Sequence, residues 1–267
     1  MIRGDPAIDH LWVNLSELPY FRALLRAVEA RFYEEIELEQ PILDLGCGDG
    51  HFVSTAFSER LDIGLDPWTG PVREAARRGS YSHVLQGSGY HLPFQSGVFA
   101  SVISNSVLEH IPDLDRTLAE VNRVLQPNGR FVFCVPNHQF LASLEISSAL
   151  DRMGMKYLGD RYRIFFNFIS RHHHCDSPEV WRERLQRLGF EIDSWWHYFP
   201  PDALHTLEWG HYFGLPALMV HFITRRWILL STRWNLSLTQ RIVSRHYEDD
   251  PKSPQGVYTF YITHKVA

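Results

Sequence analysis

Residues 42–50, Ile-Leu-Asp-Leu-Gly-Cys-Gly-Asp-Gly, run from an apolar strand end into a Gly-x-Gly-x-Gly turn, and sixteen residues after its last glycine a second short apolar strand ends in Asp66. Glycine has no Cβ, so Gly46 and Gly48 can take backbone angles that other residues avoid and let a ligand lie against the main chain. The amides of the helix that follows then face that ligand. An acid at the tip of the second strand accepts two hydrogen bonds from a ribose diol, which is how open α/β sheets hold nucleosides at the carboxyl ends of their strands. The pair restricts the chain to a sheet of that kind and implies a ligand containing a nucleoside.

The loop narrows the choice of nucleoside. A dinucleotide fingerprint needs Gly-x-Gly-x-x-Gly, but the residue three after Gly48 is His51. Hydride transfer with NAD is therefore a lesser alternative. A phosphate-binding P-loop needs Gly-Lys-Ser/Thr, and no lysine occurs between residues 1 and 155. Asp44, just before the glycines, repels a diphosphate and suits an ammonium. These residues favour S-adenosylmethionine, a nucleoside joined to a cationic amino acid.

At this point the chain resembles the class I S-adenosylmethionine-dependent methyltransferases, in their small-molecule, type 11-like branch. The segments that carry the resemblance are Leu43 to Gly50, Ile63 to Pro67, Leu92 to Phe94, Ser104 to Pro112, Leu118 to Leu125 and Pro127 to Asn137. Several motifs in the right order are far more specific than one glycine loop. The resemblance implies a cofactor-binding set of Asp44, Gly46, Cys47, Gly48, Asp66, Pro67, Ser88, Gly89 and Asn105. Within it Gly46 and Gly48 line the methionine portion, Asp66 grips the ribose, and Ser88 with Gly89 flanks the adenine. Two positions depart from the pattern. Gly87-Ser88-Gly89 stands where relatives carry an acid, leaving a hydroxyl for the adenine amino group, and Phe99 is followed by Ala100 rather than Asp.

From residue 41 onward strand and helix signals alternate: strands over 41–45, 61–65, 82–86, 99–104 and 129–135, helices over 50–59, 71–78 and 113–125. Such alternation predicts a parallel sheet covered on both faces. Asp113 caps the last of these helices and Pro127-Asn128-Gly129 punctuates its exit. Helical spacing of Leu18, Phe21, Leu25, Val28, Phe32 and Ile36 predicts one amphipathic helix over 16–38. A helix from Ser177-Pro178 to Gly189 leads to a strand over 190–199, and 256–265 reads as the last strand. The expected fold is α/β and Rossmann-like: a doubly wound seven-stranded sheet, mostly parallel with an antiparallel last strand, plus a helical insertion before that strand. The whole of 1–267 is expected to be a single methyltransferase domain: a helical cap over 1–40, the cofactor-binding core over 41–137, substrate-side helices and a strand over 138–199, the insertion over 200–255, and the last strand over 256–267.

With 267 residues, 45% of them hydrophobic, the chain can bury one large core. Its three cysteines are scattered without a Cys-x-x-Cys pair, which suits a reducing compartment. The first residues lack a basic start and an apolar core, so no signal peptide is expected. The net charge of -5 gives no general attraction to nucleic acid, and none is expected as a partner. A cytoplasmic setting follows as the expectation.

Residues 209–247 stand apart. They contain no Asp, Glu or Lys but five arginines, Arg225, Arg226, Arg233, Arg241 and Arg245, against the negative whole. Leu215, Leu218, Met219, Phe222 and Ile223 repeat at helical spacing, followed by Trp227, Ile228, Leu229, Leu230 and Trp234. The apolar run breaks at Arg225-Arg226, short of the roughly 20 residues needed to cross a bilayer. Arginine and tryptophan on an apolar helix suit a lipid interface or an anionic amphiphile, so peripheral membrane contact or a lipid-linked acceptor is one expectation. Packing of the stripe on the sheet, with solvated arginines, is the other.

Methyl transfer from a sulfonium is an in-line displacement, to which positioning and a base contribute. His110, at the carboxyl end of the fourth strand, can take a proton near neutral pH and is the candidate catalytic base; alternatively Glu109 and His110 only bond to backbone. The run His172-His173-His174 followed by Cys175-Asp176 invites a metal reading. Consecutive residues point in different directions, however, and no second cluster has ligand spacing, so no metal is expected. His174, just ahead of the helix near Ser177, is expected on the substrate side. The function expected is S-adenosylmethionine-dependent methylation of an oxygen or nitrogen on a small acceptor, hydrophobic or anionic-headed. A catalytically silent binding module that retained the sheet is the alternative, motivated by Ser88 and Ala100.

Overall fold

The computed structural model describes residues 1–224 and 226–267. Seven strands, β1 (Ile42–Leu45), β2 (Leu61–Asp66), β3 (Tyr81–Gln86), β4 (Phe99–Asn105), β5 (Leu125–Pro136), β6 (Phe190–Tyr198) and β7 (Tyr258–Lys265), form one sheet in the order β3-β2-β1-β4-β5-β7-β6. The first five pair in parallel, and β7 lies antiparallel between β5 and β6. The sheet and its direction agree with the expectation above.

Alternate residues of the central strands face opposite sides, which divides the core in two. Ile42, Ile103, Val132 and Phe260 pack beneath α1 (His10–Glu17), α2 (Tyr20–Tyr33), α3 (His51–Ala56), α4 (Thr69–Arg78) and α9 (Pro201–Phe213). Leu43, Val102, Phe131, Phe133 and Tyr261 pack on the other face against α5 (Leu114–Val124) and α8 (Pro178–Arg187). In α5 the buried Leu114, Leu118 and Val121 recur on one face, each contributing roughly 1.5–3 kcal/mol by leaving water. Asp113 caps that helix through a bond from the Arg116 amide.

Two local expectations need correction. The helix expected over 16–38 is two helices, because Pro19 offers no N–H and forces Leu18 into extended backbone (φ -117°, ψ 155°). Pro127-Asn128-Gly129 does not precede β5 but lies within it: Leu125 already pairs with Phe99, and the register shifts there while Asn128 turns left-handed at φ 61°. Such an irregularity absorbs turn residues without ending the strand.

Between β5 and β6 lie α6 (Glu145–Arg152) and α7 (Lys156–Ser170); between β6 and β7 lie α9, α10 (Leu215–Thr224) and α11 (Arg233–Glu248). The buried Glu208 of α9 accepts from the Glu145 and Ile146 amides and so caps α6, and it also accepts from the Tyr162 hydroxyl of α7. The insertion also packs on the N-terminal layer. Val243 of α11 is in the core, and Arg233 lies over the Trp12 ring while pairing with Asp9 at 3.2 Å.

Arg245 pairs with Asp202; Arg225 and the side chain of Leu215 lie outside the described residues. Much of the apolar stripe stays uncovered: Leu218, Met219, Phe222, Ile223, Leu229, Leu230 and Trp234 are exposed, Phe222 at 79% and Trp234 at 87%. Tyr157, Ile164, Phe165 and Phe168 of α7 are exposed as well. Among the described residues no helix is long and apolar enough to cross a membrane.

Candidate functional site

The strand order reverses between β1 and β4, and the parallel register brings the carboxyl ends of β1, β2 and β4 to one edge of the sheet. A ligand cleft belongs at such a switch point. Just beyond β1, Gly46 holds φ 81°, and a Cβ there would stand 2.4 Å from Cγ1 of Val107. No other residue fits. Gly48, at φ 55°, has no heavy atom within 4 Å of an added Cβ, so the loop presents bare backbone to open space. Across the loop, Asp66 accepts from the Gly48 amide at 3.1 Å on one oxygen and from the Trp68 amide at 2.9 Å on the other. An ionised carboxylate has about four lone-pair positions, so two remain for a ligand.

Three cavities meet here. The first, about 430 Å³, is walled by Gly46, Asp66, Pro67, Ser88, Gly89 and His110, among others. A second, about 370 Å³, is walled by Asp44, Gly46, Cys47, Gly48 and Asn105 on the sheet side and by Arg22, Arg26 and Trp227 on the other. These two share Gly46 and Val107. The third, about 420 Å³, opens beneath α2 and α9 between Phe21, Leu25, Phe140, Leu207 and Tyr258. It shares His110 with the first and Arg22, Arg26, Ser106 and Trp227 with the second. All nine cofactor-side candidates therefore border two adjoining cavities, and His110 stands where the third begins.

Burial sets the electrostatics. The Asp44 carboxyl, deep in the second cavity, is pushed up to about 7 by desolvation, opposed by a 2.6 Å bond from the Tyr81 hydroxyl. Desolvation also raises the Cys47 thiol, which is no thiolate nucleophile at neutral pH. Asn105 is occupied within the protein: its Oδ1 accepts from Tyr33 and its Nδ2 donates to Glu29 at 3.3 Å. At the third cavity Glu109 is 1% exposed, desolvation pushes its carboxyl up to about 8, and its Oε2 has no hydrogen-bond partner. His110 is lowered by desolvation and stays neutral at pH 7; its Nδ1 lies 3.0 Å from the Arg171 carbonyl, which requires the proton on Nδ1 and leaves Nε2 as a bare acceptor. The backbone bond expected as an alternative for His110 is thus present, on the nitrogen that faces away from the acceptor role.

His174 is held elsewhere, with Nε2 3.1 Å from the Ile111 carbonyl and Nδ1 3.7 Å from Asp176, whose side chain raises its pKa. The histidine of this run that walls the third cavity is His172. Arg22 and Arg26 also escaped the sequence reading. Their four-residue spacing puts both on one side of α2, beside an apolar stripe whose period signals packing alone. Arg26 pairs with Glu29 at 2.9 Å, whereas the Arg22 guanidinium, 6.0 Å from the Trp227 ring, has no carboxylate partner among the described residues.

Bare backbone at Gly48, a diol acceptor at Asp66 and an acid at Asp44 suit a nucleoside carrying a cationic amino acid. Residues 43–133 match the methyltransferase domain family. The chain is 31% identical over 200 residues to a malonyl-acyl-carrier-protein O-methyltransferase of Geobacter sulfurreducens, covering 63% of this chain and 72% of that one. It is 38% identical over 147 residues to a demethylmenaquinone methyltransferase of Thermobifida fusca, covering 52% and 57%. Among solved structures, geranyl diphosphate C-methyltransferase from Streptomyces coelicolor, crystallised with Mg2+, geranyl diphosphate and S-adenosyl-L-homocysteine, superposes with a TM-score of 0.56 at 14% identity, over 99% of this chain and 85% of that chain. The chain spans 30% to 57% of the length of three of the curated relatives that it matches. Its cofactor is S-adenosylmethionine, and the chain belongs to the class I S-adenosylmethionine-dependent methyltransferases.

Proposed function

We propose that this chain methylates an oxygen or nitrogen of a hydrophobic small molecule with an anionic head. The observation that carries the reading is the junction at Ser106, Val107 and His110, where the two cofactor-side cavities share walls with a third, mostly apolar one. Bound S-adenosylmethionine supplies an electrophilic methyl group. The acceptor's lone pair forms the new bond to carbon, the carbon–sulfur bond breaks, and a neutral thioether remains. Nε2 of His110 takes the acceptor's proton, a contribution of typically 10²–10⁴-fold beyond positioning. The Arg22 guanidinium, beside Trp227 and without a carboxylate partner among the described residues, receives the anionic head. The uncovered apolar surface of α7, α10 and α11, interspersed with arginine, supports contact with an anionic lipid surface from which such an acceptor is drawn.

Asp44 holds the cofactor's ammonium in this reading, and only the ionised carboxyl does so. Because the free group titrates near pH 7, affinity for S-adenosylmethionine rises about eightfold from pH 6 to 7.5, following the ionised fraction. Calorimetry across that range checks it; an equally steep rise in Asp44→Asn removes the assignment.

The function itself is tested by supplying methyl-labelled S-adenosylmethionine with an organic extract of cells. Label should enter a product that partitions into the organic phase, and NMR of that product identifies the methylated atom. Cofactor binding without transfer to any fraction favours the silent module instead. Vesicle flotation tests the lipid contact: the intact chain should float with anionic vesicles, and Trp234→Glu with Leu238→Glu should leave it in the dense fraction. An intact chain that stays behind removes the membrane from the proposal.

A further inference from the structure

The third cavity contains a cluster that the methyl-transfer reading uses only in part. One ligand atom each from Glu109, His110 and His172 all lie within 4.8 Å of one another. Glu109 and His110 belong to the short 3-10 turn after β4, and His172 follows α7, some sixty residues later. The two segments are clipped together. The His173 and His174 amides donate to the Glu109 carbonyl at 2.7 and 3.3 Å, His110 Nδ1 donates to the Arg171 carbonyl at 3.0 Å, and His174 Nε2 bonds the Ile111 carbonyl at 3.1 Å. These bonds fix the position of both backbones, and the one to Arg171 fixes the ring of His110.

Two features point to a ligand at the cluster. Glu109 Oε2 is fully buried with no partner, a costly state for a carboxyl oxygen unless something completes it. His110 is held with Nδ1 protonated, so Nε2 faces the carboxylate 3.8 Å away as an acceptor, with no proton to offer. That separation is too long for a hydrogen bond, and a cation held between the two groups satisfies both.

We propose that Glu109, His110 and His172 form a divalent-cation site in the wall of the acceptor cavity. Two imidazoles and one carboxylate, with further positions open to the cavity, suit a first-row transition ion such as Mn2+, Fe2+, Co2+ or Zn2+ better than Mg2+, which prefers oxygen donors. Coordination bonds of about 2.0–2.2 Å bring such ligands to roughly 3 Å from one another, so the side chains draw together on the ion. An acceptor hydroxyl or head-group oxygen occupies an open position, where the ion makes a hydroxyl more acidic. That consequence rests on the methyltransferase reading, and with the ion in place His110 assists deprotonation through it rather than as a free base. Occupancy of the site does not depend on that reading.

The test is direct metal binding to the full chain after dialysis against chelator, using Mn2+ followed by paramagnetic resonance and Zn2+ followed by calorimetry. One equivalent should bind per chain, and Glu109→Gln or His172→Asn should weaken it by about 10- to 100-fold. His173→Ala, which alters the exposed neighbour in the same histidine run, should keep the ion. Thermal melts confirm that each variant is folded, and Glu109→Gln should bind S-adenosylmethionine within about twofold of the parent. Absence of saturable binding overturns the proposal, as does equal loss in His173→Ala. If metal fails while S-adenosylmethionine still binds and methyl transfer persists, only the cation site falls.

Discussion

Asp66→Ala should weaken S-adenosylmethionine binding by about 1.5–3 kcal/mol, roughly 10- to 150-fold in the dissociation constant. The carboxylate has two tasks. It ties the glycine loop to β2 by accepting from the Gly48 amide, and it accepts from Trp68 at the start of the next segment. Its remaining lone pairs face the cavity that also contains Ser88 and Gly89. Removing it leaves two amides without their acceptor and, in the proposed reading, takes away the ribose contacts, so both the cradle and the ligand are affected. Asp66→Asn separates the two. Its amide oxygen can keep one backbone bond, while the loss of charge and of acceptor capacity weakens the diol, so its affinity should fall between parent and Ala. Calorimetric titration of the three proteins measures this, and identical constants for parent and Ala would remove Asp66 from the ribose.

The cradle was legible from sequence because its constraints are local. Residues 42–66 contain the strand, the glycines and the acid, and each residue type is required there for a reason of backbone space or charge that no distant partner alters. The alternating strands were legible for the same reason, since a period of two or 3.6 is written in neighbouring residues. The third cavity is a different case. Arg22, Arg26 and Glu29 sit among apolar residues on a helix whose stripe reads as core, and the partners of Arg26 and Glu29 are Asn105, Ser106 and Tyr198, far along the chain. His172 meets Glu109 and His110 only after α7 has folded back on the β4 turn. A histidine run on its own is poor ligand geometry; the second cluster that it lacked in sequence is supplied by the fold.

The largest loss of stability should follow Glu29→Ala, about 3–5 kcal/mol. This carboxylate is 0% exposed, yet each of its oxygens has two donors: Arg26 at 2.9 Å and Asn105 Nδ2 at 3.3 Å on one, Ser106 at 3.0 Å and Tyr198 at 2.9 Å on the other. It joins α2 to the ends of β4 and β6. An isolated buried charge would be prohibitive, so removing Glu29 leaves the Arg26 guanidinium uncompensated and three further donors without an acceptor. Glu29→Gln keeps the volume and one acceptor, lets Ser106 or Tyr198 reverse its hydroxyl, and should cost less, about 1–3 kcal/mol, most of it from the charge partner lost to Arg26. Urea unfolding midpoints at constant slope measure both. The same hub sets the edge of the cleft, because Ser106, held in left-handed backbone at φ 50°, lies at the junction of the second and third cavities and gives its hydroxyl to Glu29. Glu29→Gln should therefore remain folded at 25 °C and still bind S-adenosylmethionine more weakly than the parent. A Glu29→Ala protein within 1 kcal/mol of the parent would mean that water replaces the carboxylate and that α2 is held by its apolar face alone.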